Sequence, residues 1–124
     1  MKKAVVCDKA PGAIGPYSQA IETDGLVFVS GQIPVNPATG TMPETIEEQT
    51  AQSLTNIKNI LETAGLDMSN VVKTTVLMTN LGDFTKMNEV YATFFGEAAP
   101  ARAAFQVVAL PKGAMIEIEA IVVK

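Results

Sequence analysis

The strongest candidates for catalytic or substrate-binding side chains lie near the C-terminal end of the chain, and the first of them is Arg102. It lies between Pro100-Ala101 and the apolar run of residues 103–105. A guanidinium that enters a largely apolar strand can hold a carboxylate through two parallel hydrogen bonds. The alternative is a surface arginine that pairs with Glu97 or Glu119 and does no chemistry. The spacing alone leaves both interpretations open.

Two carboxylates follow on the last predicted strand. Glu117 and Glu119 are two residues apart, so they share one face of that strand with Ile121. Burial of either would perturb its pKa, which makes the pair candidates for general acid or base catalysis. The alternative is an exposed sheet face that carries two solvated carboxylates. A simple hairpin between the last two strands puts Arg102 opposite Ile121 and diagonal to Glu119, with Glu117 further away.

Three signals nearer the N-terminus are weaker. Tyr17 could donate a phenolic hydrogen bond, and Ser30-Gly31 could present a hydroxyl and a backbone N–H at the end of a strand. Cys7 has no neighbouring cation or base in the sequence beyond Lys9, which is typical of a packed, unreactive thiol. None of the three identifies a reaction by itself.

The residue composition excludes several kinds of active site. With no histidine and a single cysteine, the chain lacks the Ser-His-Asp and Cys-His nucleophile arrangements and the usual zinc sites. Its acidic residues form no Asp-rich loop of the kind that binds calcium or magnesium. No glycine-rich phosphate-binding run is present. The sequence therefore predicts no metal and no cofactor.

Charge and hydropathy narrow the range of partners. The 13 acidic and 9 basic residues give a net charge of −4 and a pI near 4.7, which offers no electrostatic footprint for nucleic acid. The unbroken apolar runs are too short to cross a bilayer or to serve as a signal peptide. We therefore expect no nucleic-acid partner, no membrane association and a cytoplasmic protein.

The elements that must position these residues fit one domain over residues 1–124. A loop over 11–17 precedes a hairpin whose turn is Asp24-Gly25. A first helix starts at the Thr45 cap and ends before Gly65. A second runs from an Asp83 cap to Gly96, and its stripe of methionine and aromatic residues is typical of sheet-facing core.

The predicted order is β-β-β-α-β-α-β-β, with the strand over 71–78 in a central position and the last two strands as a hairpin. This is an α+β fold with a six-stranded mixed sheet and two helices on one face. Two helices cannot cover both faces of such a sheet. Because 48% of the residues are hydrophobic and only 18% are charged, we expect the other face to bury itself against a partner subunit.

Five spaced motifs occur together in this chain in a fixed order. They are Ile14-Gly15-Pro16-Tyr17-Ser18-Gln19-Ala20, Val29-Ser30-Gly31-Gln32-Ile33-Pro34, Asp83-Phe84-x-x-Met87-Asn88-x-x-Tyr91, Pro100-Ala101-Arg102 and Ile116-Glu117-Ile118-Glu119-Ala120. In this combination, which covers nearly the whole chain, the sequence closely resembles the reactive intermediate deaminase family, RidA, also called YjgF.

The resemblance implies a fold, an assembly and an activity. Members of that family are homotrimers with a chorismate-mutase-like fold and a site at each subunit interface. The activity implied is the cofactor-independent hydrolysis of 2-aminoacrylate-type enamines and imines to 2-oxo acids and ammonia. The enzyme expected from the resemblance is thus a 2-iminobutanoate/2-iminopropanoate deaminase, with a small 2-imino or 2-oxo acid as its ligand.

The resemblance also implies roles for individual residues. Arg102 binds the substrate carboxylate, and Glu117 positions or activates water. This chain has Ala103-Ala104 where many members have Ser-Cys or Ser-Thr, so Ala104 supplies a backbone carbonyl and no thiol. The resemblance favours Glu117 over Glu119, whereas simple strand register favours Glu119. The residues that line the pocket in this interpretation are Tyr17, Ser30, Gly31, Asn88, Arg102 and Ala104.

A second hypothesis belongs to a different class of protein. In it, the chain is a non-catalytic trimer that binds a small carboxylate metabolite or a partner protein in the same cleft and acts as a sensor. A supply of 2-aminoacrylate separates the two hypotheses, because only a catalyst accelerates release of the oxo acid.

Overall fold

The computed structural model describes every residue of the chain, from 1 to 124. Three strands come first, and two helices then alternate with the remaining strands, in the order that the sequence predicts. The elements are β1 (Lys3–Val5), β2 (Ala20–Glu22), β3 (Leu26–Gln32), α1 (Ile46–Thr63), β4 (Val71–Met78), α2 (Phe84–Phe95), β5 (Ala101–Gln106) and β6 (Ile116–Val123).

The six strands form one mixed sheet in the order β1-β2-β3-β6-β4-β5. Neighbouring strands are antiparallel except β4 and β5, which are parallel. The predicted hairpin between the last two strands is therefore wrong. The reason is that a crossover through α2 returns the chain in the direction of β4. β5 thus lies at the edge of the sheet, and β6 enters between β3 and β4.

The pairing register decides which face of the sheet carries each chemical side chain. Arg102 lies beside Thr74 on β4, and Thr74 lies beside Ala120 on β6. Residues in register point to the same side of a sheet, and successive residues point to opposite sides. Arg102 therefore shares a face with Ala120, and both β6 carboxylates lie on the other face. The predicted position of Arg102 opposite Ile121 and diagonal to Glu119 is wrong.

Helix α1 begins and ends where the sequence predicts. The Thr45 hydroxyl oxygen accepts the backbone N–H of Glu48 at 3.1 Å, and the hydroxyl donates to the Glu48 carboxylate at 2.9 Å. At the other end Gly65 has a φ of 77°, and the N–H of Leu66 donates to the carbonyl of Leu61 at 2.8 Å. The free backbone hydrogen-bonding groups at both ends of the helix thus find local partners, and at the C-terminal end these partners form a Schellman motif.

Helix α2 begins after Asp83 and ends at Gly96, as predicted. Gly96 closes the helix with a φ of 61°, whereas the Asp83 side chain makes no capping hydrogen bond. A short 3-10 turn leads into the helix instead, and the Asn80 side chain accepts the N–H of Gly82 there at 2.8 Å. Asp83 therefore occupies the predicted N-cap position, but its side chain does not cap the helix; the only side-chain cap nearby is that of Asn80 on the preceding turn.

The core lies between the sheet and the two helices. Alternate residues of β6 are fully buried, as expected for a strand with one covered face. α2 adds Met87 and Tyr91, so its predicted core-facing stripe is confirmed at these two positions. The largest fully buried apolar side chains of β6 and α1 are Ile116, Ile118, Val122, Leu54, Ile57, Ile60 and Leu61.

The opposite face of the sheet carries no helix and exposes apolar side chains. Phe28 and Phe105 keep 43% and 48% of their accessible surface, and Val123 keeps 38%. The arrangement of two helices on one face was predicted from the sequence. An exposed apolar face of this kind is typical of a surface that contacts another subunit.

Candidate functional site

The two β6 carboxylates line a cavity of about 540 Å³ on the helix-free side of the sheet. The strand β3, the loop before β2 and the turn before β6 supply the rest of the lining. Of the residues predicted for the site, four meet here. The nine lining residues are Ile14, Tyr17, Ser30, Gly31, Ile33, Pro111, Lys112, Glu117 and Glu119.

Gly31 provides the space that the Glu117 carboxyl group occupies. The register between β3 and β6 shifts between Val29 and Gln32, which puts Ser30-Gly31 in a bulge. A Cβ atom on Gly31 would lie 2.8 Å from the carboxyl carbon of Glu117. No side chain other than hydrogen fits at this position without moving the carboxyl group.

The environment of Glu117 favours its protonated form. Burial is the main cause, and the charge of Glu119 on the same face adds to it. Together they raise the pKa of the Glu117 carboxyl above its ordinary value of 4.5. A carboxyl group of this kind exchanges a proton at a pH closer to neutral than an exposed one does. Glu119 itself is exposed.

Tyr17 and Ser30 form the polar part of the cavity wall. The Ser30 hydroxyl donates to the backbone carbonyl of Ser18 at 2.6 Å, so its oxygen remains available only as an acceptor. Tyr17 is 51% exposed, and its hydroxyl has room to donate to a molecule in the cavity. These two side chains therefore offer one free donor, the Tyr17 hydroxyl, and one free acceptor, the Ser30 oxygen.

Two further residues matter for the cavity, Gln19 beside its loop and Lys112 in its wall, and the sequence alone connects neither with it. Gln19 is buried; its Oε1 accepts the N–H of Cys7 at 2.8 Å, and its Nε2 donates to the carbonyl of Pro11 at 2.8 Å. It thereby fixes the loop that carries Tyr17. Lys112 is the only residue other than glycine with a positive φ, 58°. A lysine in left-handed backbone is strained, and no local sequence pattern reveals it.

Arg102 lies against α2, on the helix-covered face near the sheet edge. Its Nη1 donates to the Asn88 side-chain oxygen at 2.7 Å. Its Cζ lies 5.2 Å from the ring centroid of Phe84 and 4.9 Å from that of Tyr91. Phe84, Asn88 and Tyr91 follow one another at spacings of four and three residues, so one face of the helix holds the guanidinium. Ala104 lies two residues further along β5 on the same face.

The guanidinium has no carboxylate partner in this chain. The two ion pairs of the structure both join Glu22, one to Lys3 and one to Lys124. The alternative in which Arg102 pairs with Glu97 or Glu119 is therefore not realised. One of its five N–H donors is occupied by Asn88, and the others remain available for an anion.

The predicted site residues thus fall into two groups that one chain does not bring together. Tyr17, Ser30, Gly31 and Glu117 surround the cavity on the open face of the sheet. Arg102, with Asn88 and Ala104, belongs to the opposite face. We call them the glutamate half-site and the arginine half-site.

No group of three or more cysteine, histidine or acidic side chains is close enough to hold a metal ion. Among the helices, none combines the length and the apolar character that a bilayer crossing requires.

Comparisons with known proteins cover nearly the whole chain. A family model described as "Endoribonuclease L-PSP" matches residues 7–124. A RutC family protein of Pyrococcus horikoshii is 51% identical over 100% of this chain and 99% of its own. The 2-iminobutanoate/2-iminopropanoate deaminase of Mus musculus is 48% identical over 100% of this chain and 93% of its own.

Among solved structures, E. coli TdcF with bound serine superimposes with a TM-score of 0.96, at 46% identity over 98% of each chain. A RidA from an Antarctic Psychrobacter gives a TM-score of 0.95 at 44% identity, over 98% of this chain and 99% of its own. Family model, sequence relatives and solved structures agree along the chain, and they confirm the resemblance seen in the five motifs: this chain belongs to the YjgF/RidA family.

Proposed function

We propose that this protein is a cofactor-independent deaminase that hydrolyses 2-aminoacrylate-type enamines and the corresponding 2-imino acids to 2-oxo acids and ammonia. The observation that carries the proposal is the pair of half-sites. One offers an oriented guanidinium with no carboxylate partner, and the other offers a half-buried carboxyl group with a raised pKa. The mouse relative, which bears the name 2-iminobutanoate/2-iminopropanoate deaminase, supports the same substrate class.

Arg102 is the proposed anchor for the substrate carboxylate. Asn88 and two aromatic rings already hold its guanidinium, so little side-chain freedom remains to be lost when an anion binds. Bidentate hydrogen bonds would then fix the orientation of the substrate as well as its position. Anchoring the carboxylate leaves the reacting carbon and nitrogen free to face the acid/base group.

Glu117 is the proposed proton shuttle. Its protonated carboxyl gives a proton to the terminal carbon of the enamine, and the nitrogen lone pair forms the C=N bond of an iminium ion. The resulting carboxylate accepts a proton from water as the water oxygen bonds to the iminium carbon. The carboxyl then protonates the nitrogen of the carbinolamine and accepts the hydroxyl proton, so the C–N bond breaks and ammonia leaves.

This chemistry needs no metal or organic cofactor, because the iminium carbon is already electrophilic. The protein has to orient the substrate and move protons, and a carboxyl group with a raised pKa suits both proton transfers. An imine substrate takes the Glu117 proton on its nitrogen instead, and then enters the same sequence at the addition of water.

We further propose that the working site forms between copies of the chain in a homotrimer. The two half-sites lie on opposite faces of the sheet, so a site that uses both needs the arginine half-site of a second copy. The exposed apolar residues on the same face as the glutamate half-site, such as Phe28 and Phe105, support burial of this face against another subunit. A stable monomer at micromolar concentration in sedimentation equilibrium would contradict the trimer.

The sharing of the site between copies is testable by complementation. An Arg102→Ala protein and a Glu117→Gln protein are each expected to be nearly inactive. When they are unfolded together and refolded as mixed trimers, about a quarter of the interfaces should combine one intact arginine with one intact glutamate. Activity that returns to about that fraction of wild type supports a shared site. No recovery in demonstrably mixed trimers would show that both residues act within one chain.

The deaminase activity itself is tested by generating 2-aminoacrylate with a PLP-dependent dehydratase and following release of the oxo acid. The wild-type protein should accelerate release, and Glu117→Gln should not. Equal rates with and without the protein would refute catalysis. In that case, saturable binding of 2-oxobutanoate to the same protein would identify the non-catalytic carboxylate binder instead.

A further inference from the structure

Arg102 is held by a closed set of contacts that extends beyond the residues already assigned to the site. Arg102 and Thr74 are direct neighbours in the parallel pairing of β5 with β4. The Thr74 hydroxyl is hydrogen-bonded to the Tyr91 hydroxyl at 2.6 Å, and the face of the Tyr91 ring lies 4.9 Å from Cζ of Arg102. Each of the three residues therefore fixes the next.

We propose that Tyr91 is a positioning residue for the carboxylate anchor, and that Thr74 fixes Tyr91 in that role. This inference rests on the proposed function, in which Arg102 binds the substrate carboxylate. Tyr91 does not touch the substrate in this arrangement. It acts through Arg102, by holding the plane of the guanidinium in the orientation that two parallel hydrogen bonds require.

The chemistry of the three side chains explains why this support is needed. An arginine side chain at a sheet edge has several rotatable bonds, and one hydrogen bond to Asn88 restrains only one corner of the guanidinium. The rings of Phe84 and Tyr91 on α2 restrain the plane as well, through the cation–π attraction, and of these two rings only that of Tyr91 is buried and carries a hydrogen-bonded hydroxyl. The hydroxyl of Tyr91 keeps its own ring from turning, because its partner Thr74 lies on a strand that is paired on both sides and is itself buried.

Tyr91 also belongs to the core, so its structural contribution has to be separated from its positioning role. It is 6% exposed and its ring lies 4.7 Å from that of Phe95. A purely structural residue would affect the stability of the protein and not the affinity of a folded protein for a carboxylate. Phe94, an aromatic residue of the same helix that also packs against the core, provides a matched control.

The experiment measures the affinity of 2-oxobutanoate by calorimetry, together with kcat and KM for deamination, in trimers checked by gel filtration. Tyr91→Leu removes the ring and should raise both Kd and KM by about 5- to 10-fold, with a smaller change in kcat. Tyr91→Phe and Thr74→Val each remove one hydroxyl. They should raise Kd by about 2- to 3-fold, and the double variant should do no more than either. Phe94→Leu should lower stability and leave Kd unchanged.

The Arg102→Ala background distinguishes the possible outcomes. If Tyr91 acts through Arg102, then Tyr91→Leu should have no further effect on Kd once Arg102 is gone. An equal loss in both backgrounds would overturn the proposal, and so would an unchanged Kd in all of the Tyr91 and Thr74 variants. The two hydroxyl variants keep the test decisive if Tyr91→Leu does not fold. An Arg102→Ala protein with wild-type Kd would instead refute the proposed carboxylate anchor.

Discussion

The glutamate half-site and the arginine half-site are built by different means. In the first, backbone geometry makes the site: a bulge in β3, a glycine that leaves room for Glu117, and a lysine in left-handed backbone in the cavity wall. In the second, side chains of α2 make the site, because Phe84, Asn88 and Tyr91 together hold Arg102.

This difference predicts different responses to mutation. A site made by backbone geometry is sensitive to added atoms, since the backbone cannot give way without disturbing the sheet. A site made by several side chains should lose function in steps as each contact is removed, because the remaining contacts still restrain the guanidinium.

The largest effect is expected from Glu117→Gln, which removes the proposed proton shuttle and keeps the shape of the side chain. Turnover should fall by about 100- to 10,000-fold, while 2-oxobutanoate binding, measured by calorimetry, stays close to wild type. Glu119→Gln, two residues away on the same face, is the matched control and should reduce turnover far less. If the two variants exchange these effects, Glu119 is the acid/base residue and Glu117 is not.

Gly31→Ala tests the backbone-built half-site without touching a charged group. The added methyl group would meet the Glu117 carboxyl group, and a displacement of about 1 Å is enough to lower kcat by about 100-fold. Gly25→Ala is the control, since a Cβ atom there meets nothing within 4 Å. A fully active Gly31→Ala trimer would mean that the position of Glu117 is not critical.

Arg102→Lys tests the half-site that is built from side chains. Lysine keeps the charge and loses the planar fork. We expect a loss of about 2–3 kcal/mol in transition-state binding, a drop of about 30- to 150-fold in kcat/KM, and a larger drop for Arg102→Ala. Stability should change little, because Arg102 is exposed. Steady-state kinetics with gel filtration checks this, and near-normal deamination by a trimeric Arg102→Ala protein would remove the anchor from the mechanism.

The pH profile offers a smaller and finer test of the glutamate half-site. Since the Glu119 charge helps to raise the pKa of Glu117, Glu119→Gln should move the ionisation limb of the activity profile that depends on Glu117 to lower pH. An unmoved limb would contradict the coupling between the two carboxylates.

The raised pKa also gives the contribution of Glu117 to the stability of the fold a defined sign. With a folded-state pKa above 4.5, Glu117 contributes stability that is fully present below that pH and is lost as the pH rises through the folded pKa. Denaturant titrations of wild type and Glu117→Gln across this pH range measure this contribution to the free energy of unfolding.

The smallest expected effect concerns Lys112. Replacement by glycine relieves the strain of the left-handed backbone and should stabilise the protein by up to about 1 kcal/mol. The greater conformational entropy of glycine in the unfolded chain reduces this gain. Lys112→Asn, which tolerates the same φ without that entropic loss, is the control. Urea denaturation measures both variants. A decrease in stability in both would show that the lysine side chain makes contacts that outweigh the strain.

Local signals in the sequence were sufficient to predict most of the elements. The Thr45 cap and Gly65 bounded α1 correctly, Asp24-Gly25 marked a true turn, and the alternation in β6 identified the shared face of Glu117 and Glu119. These features depend on residues a few positions apart, where capping, turn geometry and the two-residue period of a strand decide the outcome.

The pairing of distant strands could not be predicted in the same way. β5 and β6 are consecutive in the sequence and are separated by a Pro-Lys-Gly turn, a pattern that is typical of a β-hairpin. Nothing local to Arg102 indicates that β6 pairs with β3 and β4 instead. The contacts that hold the guanidinium, such as Thr74 with Tyr91, likewise join elements that only the folded sheet brings together.

The central position of β6 has a consequence for how the protein is synthesised. β6 is the last strand in the sequence, yet it lies between β3 and β4 and joins the β1-β2-β3 group to the β4-β5 pair. While a ribosome is still making this segment, β3 and β4 each present an unsatisfied backbone edge, which is the kind of surface that pairs with other chains. The strand that closes those edges also carries Glu117, so a nascent chain gains its protection from aggregation and its proposed acid/base residue in the same step.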